Sequence, residues 1–332
     1  MESLETRKKD HIDLAFKSQT GMPDLDNRFH YEPMVAAHPS GNLKPISILG
    51  KEQRIPLWVS SMTGGTKLAG KINRNLARAC NEFGMGMGLG SCRIILDDNT
   101  YFDDFNMRPV IGPDQPFWAN LGIAQIEELL LNDQVARAEE LVKKLEANGL
   151  IIHVNPMQEW FQPEGDVLKY PPIETIKRFM DGFRLPLIVK EVGQGMGPES
   201  LEQLLQLPLQ AIEFAAFGGT NFARVELLRD ENADAALMEP LSYIGEDAFS
   251  MLQHINQIVD RKEPVCKELI ISGGIKHFLD GYYLLKKSSM PAIYGMASTF
   301  LKYAREDYDQ LRKYVEGQVN GLEMATAYLT VK

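Results

Sequence analysis

The chain has few cysteines. Cys80, Cys92 and Cys266 are the only three in 332 residues, far apart and odd in number. This argues against a disulfide framework or a thiolate zinc site and fits a reducing cytoplasm. No apolar run reaches the ~20 residues needed to span a bilayer. The first residues, MESLETRKKDHIDLAFKSQ, carry charge and no apolar segment ahead of a small-residue cleavage site, so a secretory signal is not expected. Positive charge is in deficit: 35 Lys and Arg against 45 Asp and Glu leave a formal charge of -10. That balance disfavours general binding to nucleic acid or to an anionic membrane. An anionic ligand must therefore find its cations locally. The RKK run at Arg7, Lys8 and Lys9 is a candidate, although such a run is ordinarily a solvated terminus. Also missing is a G-x-G-x-x-G that follows a strand and opens a helix, so no dinucleotide fold is indicated.

What is present is an alternation of short apolar runs and amphipathic segments. The runs occupy 55–62, 84–91, 117–122, 149–155, 185–192, 211–219, 268–275 and 292–298, nearly all apolar on both alternating faces. Strands buried on both sides read this way. The second, GMGMGLGS, is the weakest because its four glycines lower strand propensity. Helical patterns lie between the runs, the longest over 126–148, with Gly149 as its expected stop. Strand and helix alternating to a count of eight predict an α/β fold, a (β/α)8 TIM barrel. A doubly wound open sheet competes, but rarely needs eight consecutive units. One domain over 1–332 is expected, with a basic N-terminal arm (1–50) and C-terminal helices (300–332).

Active sites of such barrels lie at the C-terminal strand ends. Here those ends carry Thr63, Ser91, Asn120, the cluster His153, Asn155, Gln158 and Glu159, then Lys190, Thr220, Ser272-Gly273-Gly274 and Ala297-Ser298. Polar groups crowded at a strand end cost burial energy unless each has a partner. Pro156 and Pro163 keep a long helix from absorbing the fourth-strand cluster. A shared mouth in which ligands supply the partners accounts for the pattern. SGGIK at 272–276 enters a helix and YGMAS at 294–298 closes the eighth strand. Glycine there admits a ligand close to the backbone, and helix-start N–H groups favour an anion. A flat ligand with a phosphate tail, such as FMN, would use these loops together with MTGG (62–65) and FGGT (217–220). Lys190, inside an apolar strand, suits the electron-rich end of a flavin ring. Glu159 is either a surface acid or a Mg2+ ligand, since Mg2+ uses one or two carboxylates plus substrate phosphates.

The motifs RKKDH, SSMTGG, GSCR, ANLG, HVNPMQE, KEVGQGM, FGGTNFARVE and SGGIK resemble, in order, those of the type II isopentenyl diphosphate isomerases, from Arg7 to about Leu301. The resemblance implies an FMN-binding barrel that interconverts isopentenyl and dimethylallyl diphosphate. It also implies Mg2+, reduction of the flavin by NAD(P)H, and a homotetramer or homo-octamer. Carried across by motif, Ser61, Met62, Thr63, Ser91, Asn120, Lys190 and Thr220 contact the flavin, and Gly273, Gly274, Ala297 and Ser298 hold its phosphate. Arg7, Lys8, His11 and Arg93 attend the substrate diphosphate. Gln158 faces the substrate beside His153 and Asn155 in the catalytic cluster, and Glu159 holds Mg2+. The chain departs from the family pattern at Cys92, where Gln is usual, and at Lys276, where Arg is usual. The second departure keeps charge but loses a bidentate grip.

Two other readings remain. A flavin oxidoreductase of the hydroxy-acid oxidase type shares the barrel and the phosphate loops, but places a catalytic His before Gly-Gly-Arg after the sixth strand; this chain has AAFGGTNFARVE. A non-catalytic flavin-binding protein would have no need of a Gln-Glu pair beside a basic arm.

Overall fold

The computed structural model describes residues 4–41, 43–61, 64–229 and 237–332. The first element is a helix, Leu4–Leu14, none of whose residues is buried. Strand β1 (Phe29–Tyr31) pairs antiparallel with the last strand of the chain, Leu329–Val331. Strands β2 (Ile46–Ile48) and β3 (Lys51–Gln53) form a hairpin. The barrel follows as β4 (Leu57–Val59), β5 (Gly86–Gly88), β6 (Phe117–Gly122), β7 (Gly149–His153), β8 (Leu187–Lys190), β9 (Ala211–Glu213), β10 (Leu269–Ser272) and β11 (Ala292–Met296). These eight close on themselves in the order β10-β11-β4-β5-β6-β7-β8-β9. The expected (β/α)8 barrel is the fold. The segment read as an arm over 1–50 is heterogeneous: its helix is exposed, whereas 29–31 and 46–48 are built into the body.

The barrel interior is an apolar plug of Trp58, Trp118, Ile151, Ile188, Ala211, Ile270 and Ile293, joined by Ile48 and Leu49 of the hairpin. Glu268, just ahead of β10, accepts the Leu49 N–H at 2.9 Å and ties the hairpin to the lower rim. The hairpin thus packs against the lower end of the barrel interior. The glycines that weakened β5 as a strand have a packing reason. A Cβ on Gly86 would lie 2.7 Å from the Trp58 ring, and one on Gly88 would lie 2.5 Å from Ile151 Cδ1. Large neighbours fill the space that the missing side chains leave.

Two sequence expectations need correction. The single helix over 126–148 is two helices, Ile123–Leu131 and Val135–Lys144. The break falls at Asn132-Asp133-Gln134, where Asp133 takes φ 54°, a left-handed turn that Asp tolerates better than most residues. Gly149 does not stop the helix but begins β7; Leu145 ends it, and Glu146 makes the turn at φ 50°. Several strands are also shorter than the apolar runs. The run 211–219 is a strand only to Glu213, because Ala215 (φ 44°) and Gly218 (φ 113°) turn the chain out of the extended region.

Candidate active site

Register places a row of groups at one level across adjacent strands. Gly122 of β6 pairs with His153 of β7, His153 with Lys190 of β8, and Lys190 with Glu213 of β9. Two adjoining clefts open above this row. The first, of about 820 Å³, is lined by Ser61, Lys190, Glu213, Thr220, Gly273, Gly274, Ala297 and Ser298 among others. The second, of about 480 Å³, is lined by Ser61, Gly90, Ser91, Asn120, His153, Gln158, Lys190, Val192 and Phe222. Ser61 and Lys190 belong to both, so the two are lobes of one mouth.

The first lobe is walled by backbone. A Cβ on Gly273 (φ 91°) would fall 2.1 Å from the Ala216 carbonyl oxygen, and one on Gly219 would fall 3.3 Å from Gly274 N. These loops approach at a distance that no larger residue permits. The helix after β10, Phe278–Lys287, ties the backbone just ahead of it to its own first turn. Asp280 Oδ2 accepts from Lys276 N at 2.9 Å and from His277 N at 3.3 Å, capping that helix internally. A phosphate in this lobe would rest on the 273–275 loop and the start of the helix Ser298–Ala304. Ser60 Oγ, Ser61 Oγ and one oxygen of Glu213 are buried here without a hydrogen-bond partner among the described residues. Unpaired buried polar atoms around a glycine-walled cleft fit a planar polar cofactor of the flavin kind.

In the second lobe the hydrogen bonds assign the chemistry of His153. Asn120 Nδ2 donates to the Leu89 carbonyl at 2.9 Å, which orients the amide and leaves Asn120 Oδ1 as an acceptor. His153 Nδ1 lies 2.8 Å from that oxygen and must carry the proton. Nε2 is then the unprotonated nitrogen of a ring that lines the lobe. Burial, helped by the nearby Lys190 charge, holds the imidazole pKa down to about 3. The ring is neutral at any ordinary pH.

The short helix Pro156–Phe161 collects the remaining polar groups. Asn155 Nδ2 donates to Gln158 Oε1 at 3.1 Å and to Glu159 Oε1 at 2.9 Å. Gln158 Nε2 donates to Glu226 Oε1 at 3.0 Å, and Arg229 Nη1 holds the other Glu226 oxygen at 2.5 Å. Glu226 was not singled out in the sequence. Its position in FARVE, on helix Phe222–Arg229, resembles any surface acid until tertiary packing buries it. Glu159 Oε2 accepts Asp166 N at 2.9 Å, and Asp166 also binds Arg93 at 2.9 Å. Asn155 Oδ1 is buried without a partner among the described residues. Among the described residues there is no group of three or more His, Cys, Asp or Glu able to hold a metal. Glu159 therefore fits Mg2+ only as one carboxylate in a shell completed by water and ligand phosphate.

Asn155, Glu159 and Arg93 do not line the second lobe but are hydrogen-bonded behind it. Arg7, Lys8 and His11 are not brought to it: they lie on the exposed helix Leu4–Leu14. Met62 and Thr63 fall outside the described residues. Cys92 is fully buried and lines neither lobe, with burial pushing its thiol up to about 12.

The comparisons with known proteins agree with this geometry. An isopentenyl-diphosphate delta-isomerase of Nostoc sp. is 32% identical over 319 residues, covering 94% of this chain and 88% of that protein. Its counterpart in Deinococcus radiodurans is 30% identical over 328 residues, covering 97% and 93%. The chain belongs to the isopentenyl-diphosphate delta-isomerase family, a family of enzymes. No family model matches it. Among solved structures, a mandelate oxidase variant with an FMN monooxide adduct aligns over 99% of both chains at 15% identity and a TM-score of 0.57. A flavocytochrome b2 variant with benzoylformate covers 90% of this chain and 71% of its own at 16% identity and a TM-score of 0.61. At that identity the likeness speaks for the fold alone.

Proposed function

We propose that this protein interconverts isopentenyl diphosphate and dimethylallyl diphosphate, using reduced FMN and Mg2+, with NAD(P)H as the reductant. The observation that carries the reading is the shared wall of the two lobes. Lys190 stands between a glycine-walled cleft suited to a flavin and a lobe holding His153 and Gln158. A cofactor in one and an alkene in the other would meet at that wall.

Moving an unactivated double bond requires a proton at one carbon and removal of one from another. His153 cannot act as the acid, being unprotonated above about pH 3, and amides are weaker still. The flavin supplies the acid chemistry that these side chains lack. Ser61, Met62, Thr63, Ser91, Asn120, Lys190 and Thr220 would contact its ring, and Gly273, Gly274, Ala297 and Ser298 its phosphate. Gln158, held between Asn155 and Glu226, would face the alkene and orient it. Glu159 would hold Mg2+ on the diphosphate. Arg7, Lys8, His11 and Arg93 would neutralise the rest, which requires the exposed N-terminal helix to close over the mouth or to arrive from another copy. Leu4, Ile12, Phe16 and Met34 of the N-terminal segment are exposed, which supports a homo-oligomer, tetramer or octamer, that covers them. Among the described residues no helix is long and apolar enough to cross a membrane, and the free buried cysteines suit a reducing cytoplasm.

The oxidase reading is less well supported. The residues before Gly218-Gly219 are Ala215, Ala216 and Phe217, and His153, with its pKa near 3, is too weak a base to deprotonate a hydroxy acid. The test is an anaerobic assay of isopentenyl diphosphate with FMN, Mg2+ and a reductant, followed by product analysis. Dimethylallyl diphosphate formed without net consumption of reductant supports the isomerase; stoichiometric consumption supports the oxidoreductase.

A further inference from the structure

Glu213 has no exposed surface, yet it lines the first lobe. Its Oε1 is 3.3 Å from Ser272 Oγ. That hydroxyl already accepts the Ala215 N–H at 2.9 Å, so its own proton goes to the carboxylate. Glu213 Oε2 has no partner among the described residues. A buried carboxylate oxygen left unpaired is costly, and calls for a donor.

The neighbouring strand carries the opposite deficit. Lys190, paired in register with Glu213 and also buried, donates to the Glu191 carbonyl at 2.7 Å. An ammonium has three N–H groups, and the adjacent Glu191 carboxylate, close enough to feel the Lys190 charge, makes no hydrogen bond to it among the described residues. Glu191 Oε2 is taken by three backbone N–H groups, from Gly193 and Gln194 at 2.6 Å each and from Gly195 at 3.0 Å. Among the described residues, a buried cation with unused N–H groups thus stands on the strand next to a buried carboxylate oxygen that lacks a donor, both in the wall of one cleft.

We propose that Glu213 is a positioning residue of the cofactor cleft: it is the counter-ion that holds Lys190 at the boundary between the lobes, and its negative charge sets the reduction potential of the bound flavin. The proposal rests on the flavin reading above. Reduction puts negative charge on the ring. A fixed carboxylate nearby opposes that change and Lys190 favours it, so the pair keeps the potential lower than Lys190 alone would set it.

The experiment begins with the parent protein and FMN, monitored by flavin fluorescence; absence of binding there would reject the flavin reading itself. With the parent loaded, the midpoint potential of the flavin is titrated against a reference dye in Glu213→Gln and Glu213→Asp. Glu213→Gln keeps the shape and loses the charge. Its preference for reduced over oxidised FMN should rise about tenfold, ~30 mV for a two-electron couple. Glu213→Asp keeps the charge and should stay nearer the parent. An unchanged potential in flavin-loaded Glu213→Gln overturns the proposal. Should Glu213→Gln fail to fold, Lys190→Gln is compared with the double variant Lys190→Gln/Glu213→Gln. A counter-ion pair predicts that losing both charges restores a potential close to the parent's. A double variant no nearer the parent than Lys190→Gln overturns it.

Discussion

Asn120 Oδ1 and His153 Nδ1 are 2.8 Å apart, and this contact between two barrel strands decides which imidazole nitrogen carries the proton. Leu89 fixes the amide, the amide fixes the tautomer, and the tautomer presents an acceptor. Nitrogen-15 NMR of labelled protein should show a single neutral His153, protonated at Nδ1, without titration between pH 5 and 9. The folded pKa, about 3, lies below the unfolded value of about 6.5. The stability from this residue is therefore present above about pH 6.5 and is lost as pH falls toward 3. In Asn120→Ala the ring should populate both tautomers, and turnover should fall by about 10²-fold.

Gly274 has φ 71°, and a Cβ there would meet the Phe217 carbonyl oxygen at 3.0 Å. Gly274→Asp adds a negative charge to that crowded loop, where an FMN phosphate is proposed to sit. FMN affinity should drop by more than about tenfold, which is roughly 1.4 kcal/mol. Parent-like affinity in a fluorescence titration would remove this loop from the cofactor site.

Glu159 shares its carboxylate between Asn155 and the Asp166 backbone. If it also binds Mg2+, Glu159→Gln should raise the Mg2+ concentration needed for half-maximal turnover by about tenfold or more while FMN stays bound. A Mg2+ titration identical to the parent's would leave Glu159 with the structural role alone.

Arg7 and Lys8 stand on an exposed helix and line neither lobe. Replacing both with Ala should raise KM for the diphosphate by about tenfold and change kcat little, because such contacts act on the ground and transition states alike. Diphosphate and Mg2+ together should also slow proteolysis within residues 4–14. Cleavage at the same rate with and without ligand would mean that this helix does not close over the site.

The period of the chain was enough for the barrel. Eight two-sided apolar runs can be buried in few other ways, and burial is a property each run carries locally. The rim was legible too, since residues at strand ends must point into a shared mouth once the barrel closes: Ser61, Ser91, Asn120, His153, Gln158, Lys190, Thr220 and the Gly273-Gly274 loop all line it. Tertiary structure alone decided the rest. Glu226 becomes a buried partner of Gln158 only because helix Phe222–Arg229 packs over the helix after β7, and no local pattern marks it. Glu213 reads as an interruption in an apolar run until register sets it beside Lys190. Asp280 reads as an ordinary first-turn acid until it is seen to accept from the Lys276 and His277 N–H groups ahead of its helix. Hydrophobic period is written residue by residue, whereas the partner of a charge is chosen by the fold across tens of residues, so sequence alone shows where the site lies but not how its charges pair.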